Sequence, residues 1–529
     1  MELNEIYFTA FREYKTGNFS AALETLERLQ KIYPELKNIS YSRAVIYNEQ
    51  NEFIRAFLAL KDLLPRLDSD EKYLAMQAYN LFGVVNRHLA MPDSAIECYC
   101  KAAGLAGDNH AACQAISNAF FASNCSENFS KDDFKKLCAE YKKYLSDITP
   151  YPRKFYNHKK IRVGFLSADF RIHAVMDWCL TLITGLDKNI FATYFYSNAA
   201  ANDFVTDYFK SIIKNWRDLS LLTEKQTAQM IRDDEIDILF DLSGHTSGNL
   251  LRVAAYRPAS VQVSGIGYMN STGADFIDYF LSDIHCAGGE NYFTEKLIRL
   301  PQSHFCYTPI RTSELKETPP CLEKNFVTFG SFNQFGKITD SILSAWKIIL
   351  DEVPDSRLIL KDKLFDTIDG QNFCADKLKS FGFDLARVEM RGFSHTFDYL
   401  REYDDVDIAL DTYPYTGGVT TCGALYMGVP VISLFGDKHG SRFGLSILEN
   451  VGLAELAVDS LDEYINRAIE LSGDKNLLAL LRKNLRGMMA KSPLMNQKNY
   501  IREVEAAFIK ILDTERKLHA GGTKLFPTK

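Results

Sequence analysis

From Ile161 onward, short runs of β-branched and aromatic residues alternate with helical stretches, and few folds accommodate that alternation. The first series comprises Ile161 to Ser167, Phe191 to Ser197, Ile236 to Leu242, Val261 to Ile266 and Phe276 to Leu281. Strands separated by helices are βαβ units, which assemble into a parallel sheet with helices on its faces. The series restarts after Glu317-Thr-Pro319-Pro320 with Phe326 to Ser331, Arg357 to Leu360, Val388 to Arg391, Val406 to Leu410 and Val431 to Phe435. A second doubly wound lobe is therefore expected. Ligands of such lobes bind beyond the carboxyl ends of the strands.

The first 140 residues read differently, as helix after helix with almost no strand-like alternation. Gly17-Asn-Phe19-Ser-Ala-Ala22-Leu23 is echoed by Glu52-Phe53-Ile-Arg-Ala56-Phe57, and the step from Ala22 to Ala56 is the tetratricopeptide period of about 34 residues. A looser third copy contains Leu81-Phe82-Gly83 and Ala95-Ile96, with Asp68-Ser69-Asp70-Glu71 as an insertion. The alanines suit closely approaching antiparallel helices, and Pro34 and Pro65 end the second helix of a unit. At 529 residues the chain exceeds the ~250 to 300 residues one core supports. The expected division is a helical repeat region over 1–140, a linker over 141–159, α/β lobes over 160–316 and 325–492, a closing helix over 493–515 and a flexible tail over 516–529.

Several functions are disfavoured. Hydrophobic residues make up 46% of the chain and charged residues 24%, ordinary values for a folded protein. The 61 basic and 68 acidic residues leave −7, with no dense Lys/Arg block to attract nucleic acid. Met1-Glu-Leu-Asn-Glu lacks the marks of a secretory signal, and no apolar run nears the ~20 residues of a membrane span. A cytoplasmic protein without membrane or nucleic-acid partners is expected. Eleven cysteines form no C-x-x-C pair or disulfide framework and read as small buried apolar residues. Cys98 and Cys100 lack a ligand pattern, so no metal or cofactor is expected.

Four segments carry candidate chemistry. In Leu410-Asp411-Thr-Tyr-Pro414-Tyr-Thr416-Gly417-Gly418-Val-Thr420-Thr421, a buried strand runs through a glycine turn into a helix start whose backbone N–H groups suit a phosphate. A well-capped helix start without ligand would read the same way. In Phe329-Gly330-Ser-Phe-Asn333-Gln334-Phe-Gly336-Lys337, the ammonium of Lys337 sits where it would neutralise a departing diphosphate, although a lone lysine is usually a solvated surface group. Ser167-Ala-Asp169-Phe-Arg-Ile-His173 and Asp241-Leu-Ser-Gly244-His245 each put a histidine just past a strand, and both are expected to reach the cleft. Such a histidine accepts a proton or orients a hydroxyl; a single one is more often structural.

In their order and spacing these segments resemble the SPINDLY and protein O-GlcNAc transferase family in its compact bacterial form, over residues 5 to 512. The resemblance includes Ile161 to His173, Asp241 to Thr246, Arg257-Pro258 through Gln262, Gly267-Tyr268, Phe332 to Ile338, Leu410-Asp411-Thr412, Gly428-Val-Pro430, Gly436-Asp437 with Ser441-Arg442, and Ser492-Pro493-Leu494. It implies a GT-B type pair of Rossmann-like lobes behind tetratricopeptide repeats, with the acceptor on the first lobe and the nucleotide sugar on the second. It further implies a metal-independent, inverting transfer of N-acetylglucosamine from UDP-GlcNAc to Ser or Thr of an acceptor protein. Gln334 and Lys337 would contact the diphosphate, Gly417, Gly418, Thr420 and Thr421 would complete the cradle, and Tyr399 would stack on the base. His173, His245 and Tyr268 would line the sugar and acceptor side, with His245 and His173 as candidates for general base.

Four positions depart from the family pattern: Gly423 replaces an acidic residue, Val419 a threonine, Tyr399 a histidine, and Met269-Asn270 the Pro-Gly of a turn. They open the alternatives of UDP-glucose or GDP-fucose as donor, or an inactive core acting as a repeat-containing adaptor. A small-molecule enzyme such as an epimerase would have no use for the arm. The arm is expected to bind the acceptor, and with about three repeats it reads little sequence, so a restricted client such as flagellin or another abundant protein is expected.

Overall fold

A computed structural model of the chain describes residues 3–199, 202–310, 312–394 and 398–522. The chain divides into two compact units, one of residues 1–129 with 328–395 and one of residues 130–327 with 396–529.

The larger unit holds a seven-stranded sheet built from β1 (Ile161–Ser167), β2 (Phe191–Ser197), β3 (Asn215–Asp218), β4 (Ile238–Asp241), β5 (Val261–Gly265), β6 (Tyr279–Asp283) and β7 (Lys296–Leu300). Their order is β3-β2-β1-β4-β5-β6-β7, and neighbouring strands run parallel. The order reverses between β1 and β4, which creates the crevice where such sheets hold ligands. β1 and β2 have the bounds read from sequence. The edge strands β3 and β7 do not appear in that reading, because Asn-Trp-Arg-Asp and Lys-Leu-Ile-Arg-Leu mix exposed charge with few buried positions, as edges do.

In the smaller unit, the helices Leu3–Lys15, Phe19–Ile32, Lys37–Glu49, Phe53–Leu63, Lys72–His88, Pro92–Leu105 and Asn109–Ser123 form successive hairpins. Ala22, Ala56 and Ala95, the three alanines of the repeat, are all fully buried. Gly83 plays the same part in the third hairpin, since a Cβ there would come within 2.6 Å of the Tyr99 ring. The unit also contains β8 (Thr328–Ser331), β9 (Arg357–Lys361) and β10 (Val388–Arg391), parallel and in the order β10-β9-β8. Arg55 on the helix Phe53–Leu63 pairs with Asp369 on the helix Ile368–Ser380 at 3.3 Å.

The remaining strands, β11 (Ile408–Leu410), β12 (Val431–Leu434) and β13 (Ala457–Val458), belong to the larger unit in that order. Compactness thus groups the chain differently from the sequence-based division: part of 325–492 clusters with the arm, and the helix Lys131–Lys143 clusters with the first α/β sheet. The last helix spans Gln497–Gly522, beyond the expected end at 515. Buried Glu515 pins it to the sheet, accepting a hydrogen bond from the Tyr279 hydroxyl at 2.7 Å and pairing with Arg153 and Lys296. The rest of the expected tail, 523–529, lies outside the described residues. Nine of the eleven cysteines are buried, and none is in a disulfide.

Candidate active site

Two strands flank the reversal in the seven-stranded sheet, and each delivers one of the expected histidines. Past β1, the backbone N–H of Asp169 donates to Ser167 Oγ at 2.9 Å and Arg171 donates to the Asp169 carboxylate at 3.0 Å. His173 follows with Nδ1 3.9 Å from that carboxylate and accepting from the Val175 N–H at 3.3 Å. The proton of a neutral ring therefore sits on Nε2. The side chain is 40% exposed, and desolvation, partly opposed by Asp169, holds its pKa below the ordinary value. The ring is thus neutral at neutral pH and open to exchange.

Past β4, the buried Asp241 carboxylate accepts from the N–H groups of Ser243 and Gly244 at 3.1 and 2.9 Å and from Ser264 Oγ at 2.8 Å. Gly244 has φ +50°, and a Cβ there would lie 2.3 Å from that of Tyr268. The turn presses His245 into the protein, where it is 1% exposed and donates from Nε2 to the Thr272 carbonyl at 2.7 Å. The edges of Tyr141 and Tyr268 meet its ring, each at 5.3 Å between centroids. Burial pushes its pKa down to about 4. Of the two histidines expected to reach the cleft, His173 is part-exposed and offers its Nε2, whereas His245 is buried and its Nε2 is committed to the backbone. Tyr268 is likewise buried, following Gly267, where a Cβ would strike the Leu242 carbonyl at 1.7 Å.

The phosphate-type turn follows β11. Asp411 Oδ1 accepts from the N–H groups of Thr412 and Gly417 at 2.9 and 2.6 Å, and Oδ2 accepts from Ser433 Oγ at 2.8 Å. This carboxylate folds the segment back on itself, so that Gly417 and Gly418 lead directly into the helix Val419–Tyr426. A Cβ on Gly417 would lie 2.5 and 2.6 Å from the hydroxyls of Thr421 and Thr420. The helix start has no side-chain cap, leaving its first amides suited to an anion. The Tyr403 hydroxyl donates to the Thr420 carbonyl at 3.1 Å, and Tyr399 stands edge-on to Tyr403 with hydroxyls 3.3 Å apart. The aromatic expected at the base is thereby tied to the cradle. Beside it, a Cβ on Gly423 would sit at ordinary contact distance from Leu400 and Tyr403, 3.5 and 3.7 Å.

Gln334 and Lys337 lie in the smaller unit, on the 3-10 turn Phe335–Lys337 after β8. Gln334 is exposed and Lys337 half-buried. The Phe335 N–H donates to the half-buried Asp362 carboxylate at 3.0 Å, and Phe335 packs edge-on against Phe365 and Phe373. The sequence reading did not single out Asp241, Asp411 or Asp362 as architects of these turns. Their shared signal is an aspartate at the last position of a buried strand or directly after it.

Helical hairpins followed by Rossmann-type parallel sheets, with glycine-shaped turns at the strand ends, define a class of α/β proteins in which ligands bind beyond the strand ends. The chain belongs to glycosyl transferase family 41, whose profile matches residues 130–310 and 318–504. It is 37% identical over 384 residues to a Hordeum vulgare protein named probable UDP-N-acetylglucosamine--peptide N-acetylglucosaminyltransferase SPINDLY, covering 71% of this chain and 40% of that one. To the Arabidopsis thaliana protein of the same enzyme name called SEC it is 27% identical over 378 residues, 69% of this chain and 38% of that one. The chain thus spans about two fifths of the length of these relatives. Among solved structures, a mutant of the O-GlcNAc transferase of Thermobaculum terrenum matches with a TM-score of 0.86 at 27% identity, over 98% of both chains. The expected fold class, helical repeats followed by a GT-B type pair of Rossmann-like lobes, is borne out.

Proposed function

We propose that this protein transfers a sugar from a nucleotide donor to a Ser or Thr hydroxyl of an acceptor protein, with inversion and without a catalytic metal, and that the donor is UDP-N-acetylglucosamine. The observation that carries the reading is the glycine-shaped, uncapped helix start at Gly417 to Thr421 within the family-matched region. Its amides and the hydroxyls of Thr420 and Thr421 bind the diphosphate, while Gln334 and Lys337 stabilise the charge that develops as it departs. Tyr399 stacks on the base. His173, neutral and with a free Nε2, takes up or relays the proton of the acceptor hydroxyl, while His245 and Tyr268 form the wall behind it. The acceptor protein binds along the helical arm, with an abundant client such as flagellin as the narrower proposal, and the reaction belongs in the cytoplasm. No helix among the described residues is long and apolar enough to cross a membrane.

Gly423 favours a second reading, in which the donor is UDP-glucose or GDP-fucose. No carboxylate is available there for a ribose hydroxyl, and the neighbouring Leu400 and Tyr403 leave ordinary contact space for a side chain. One experiment separates the readings. The protein is incubated with UDP-GlcNAc, UDP-glucose or GDP-fucose and a lysate of its source, and nucleoside diphosphate release and intact protein mass are measured. An N-acetylhexosamine, hexose or deoxyhexose mass increment identifies the donor. Diphosphate binding without release from any donor would mark an inactive adaptor.

A further inference from the structure

Away from these turns, the larger unit contains the single group of histidine, cysteine and acidic side chains among the described residues arranged to hold a metal. One ligand atom from each of Cys286, His304 and His439 lies within 4.8 Å of the other two, and none of the three residues is more than 1% exposed. Phe280, Phe293, Phe305 and Phe443 pack against the two imidazoles, so the surroundings are dry.

The hydrogen bonds around the two rings assign their protons. His304 Nδ1 lies 2.5 Å from the Asp283 carboxylate, which also accepts from the N–H groups of His285 and Cys286 and from Ser446 Oγ. Nδ1 therefore carries a proton. His304 Nε2 is buried with no hydrogen-bond partner, an unfavourable arrangement if nothing engages it. His439 donates from Nδ1 to the Met269 carbonyl at 3.1 Å, which leaves a lone pair on Nε2. The present partner of that nitrogen, the Ser282 hydroxyl at 2.9 Å, also reaches the Asp283 carbonyl at 3.4 Å and has an alternative acceptor. Each imidazole thus has its second nitrogen fixed by a carboxylate or a backbone carbonyl, the outer support that metal-bound histidines almost always have. Cys286 supplies the third donor, a sulfur.

We propose that Cys286, His304 and His439 bind a zinc ion. Two imidazole nitrogens and a thiolate match the preference of zinc, and these three protein ligands leave the fourth position of a tetrahedral site open. The thiolate and the Asp283 carboxylate together balance the charge of the ion. Arg442, a cationic side chain beside the cluster, has its guanidinium turned to the carbonyls of His285 and Gly436. Zinc ligands sit ~2.0 to 2.3 Å from the ion, so the cluster closes by roughly an ångström on loading. The ion would pin the segment after β6 to the turn His439–Arg442 and so fix the helix Phe443–Val451 beyond it.

The test uses the full chain, purified without an affinity tag, supplied with zinc and then dialysed. Elemental analysis is expected to give about one zinc per chain, falling to background in Cys286→Ala and in His304→Gln. Adding dipicolinate should lower the thermal midpoint, and zinc should restore it. If a variant fails to fold, cobalt substitution of the native chain gives an independent reading: a thiolate-to-cobalt charge-transfer band is expected. A native chain without zinc, zinc that survives both substitutions, or a cobalt form lacking the thiolate band overturns the proposal.

Discussion

A Cβ placed on Gly336 would lie 2.2 Å from the backbone carbonyl oxygen of Arg87. The turn that carries Gln334 and Lys337 therefore rests on the end of the arm helix Lys72–His88, with no space for a side chain between them. Overpacking of this kind costs typically ~1 to 3 kcal/mol. Gly336→Ala is expected to lower the urea midpoint accordingly and to weaken UDP binding, measured by titration calorimetry. In a Lys337→Ala background the effect on UDP affinity should shrink, because the displaced group is already gone.

Lys337→Ala itself should raise the barrier to transfer by about 2 to 4 kcal/mol, the range for losing one preorganised charge-stabilising donor. The unfolding midpoint should barely move, since the side chain is only half-buried. Steady-state kinetics with the donor that the mass increment identifies checks the first statement and urea unfolding the second. Unchanged turnover would remove Lys337 from its proposed role.

The two histidines past β1 and β4 should separate cleanly. His173→Ala, at a 40% exposed side chain, is expected to leave stability within ~0.5 kcal/mol while lowering turnover ~10² to 10⁴-fold. His245→Ala removes the donor from the buried Thr272 carbonyl and should cost at least ~1 to 3 kcal/mol of stability. Equal stability losses in both variants would contradict the geometry.

Acid should destabilise the protein below pH 6.5 through histidines held neutral in the fold. Burial, with Arg87 and Lys363 adding repulsion, pushes His88 down to about 2, and burial pushes His245 down to about 4. Unfolded, each titrates near 6.5, so below that pH the unfolded chain binds protons that the folded chain does not. Stability is then complete above pH 6.5 and falls by up to about 1.4 kcal/mol per pH unit per histidine as pH drops toward the folded values. His88 stacks on Phe53 at 4.2 Å between centroids, so His88→Phe keeps the contact. Urea midpoints between pH 7.5 and 5 should fall less steeply in that variant.

What could be read from the sequence, and what could not, follows the range of the forces involved. β1, β2 and β10 were legible to the residue: β1 and β2 are mostly apolar or aromatic runs between turn signals, and in β10 Val388 and Met390 alternate with Glu389 and Arg391. The alanines at positions 22, 56 and 95 were legible because steric exclusion between helices leaves a periodic mark. β13 was not, since Ala457–Val458 is only two residues long. Burial of His245 depends on Tyr141, more than a hundred residues earlier, and on Thr272; no local pattern around Gly244 distinguishes it from His173. The convergence of Cys286, His304 and His439 was equally hidden, because ligands from three separate segments leave no spacing motif.

The arm and β8 to β10 form one compact unit although residues 130 to 327 intervene between its two pieces. During synthesis at ~5 to 20 residues per second, the N-terminal hairpins would emerge roughly 10 to 40 seconds before the segment that completes their unit. For that interval the end of the helix Lys72–His88 lacks the turn that later seats against Arg87. Nascent chains stalled just after residue 327 should thus be the species most exposed to chaperones and proteases.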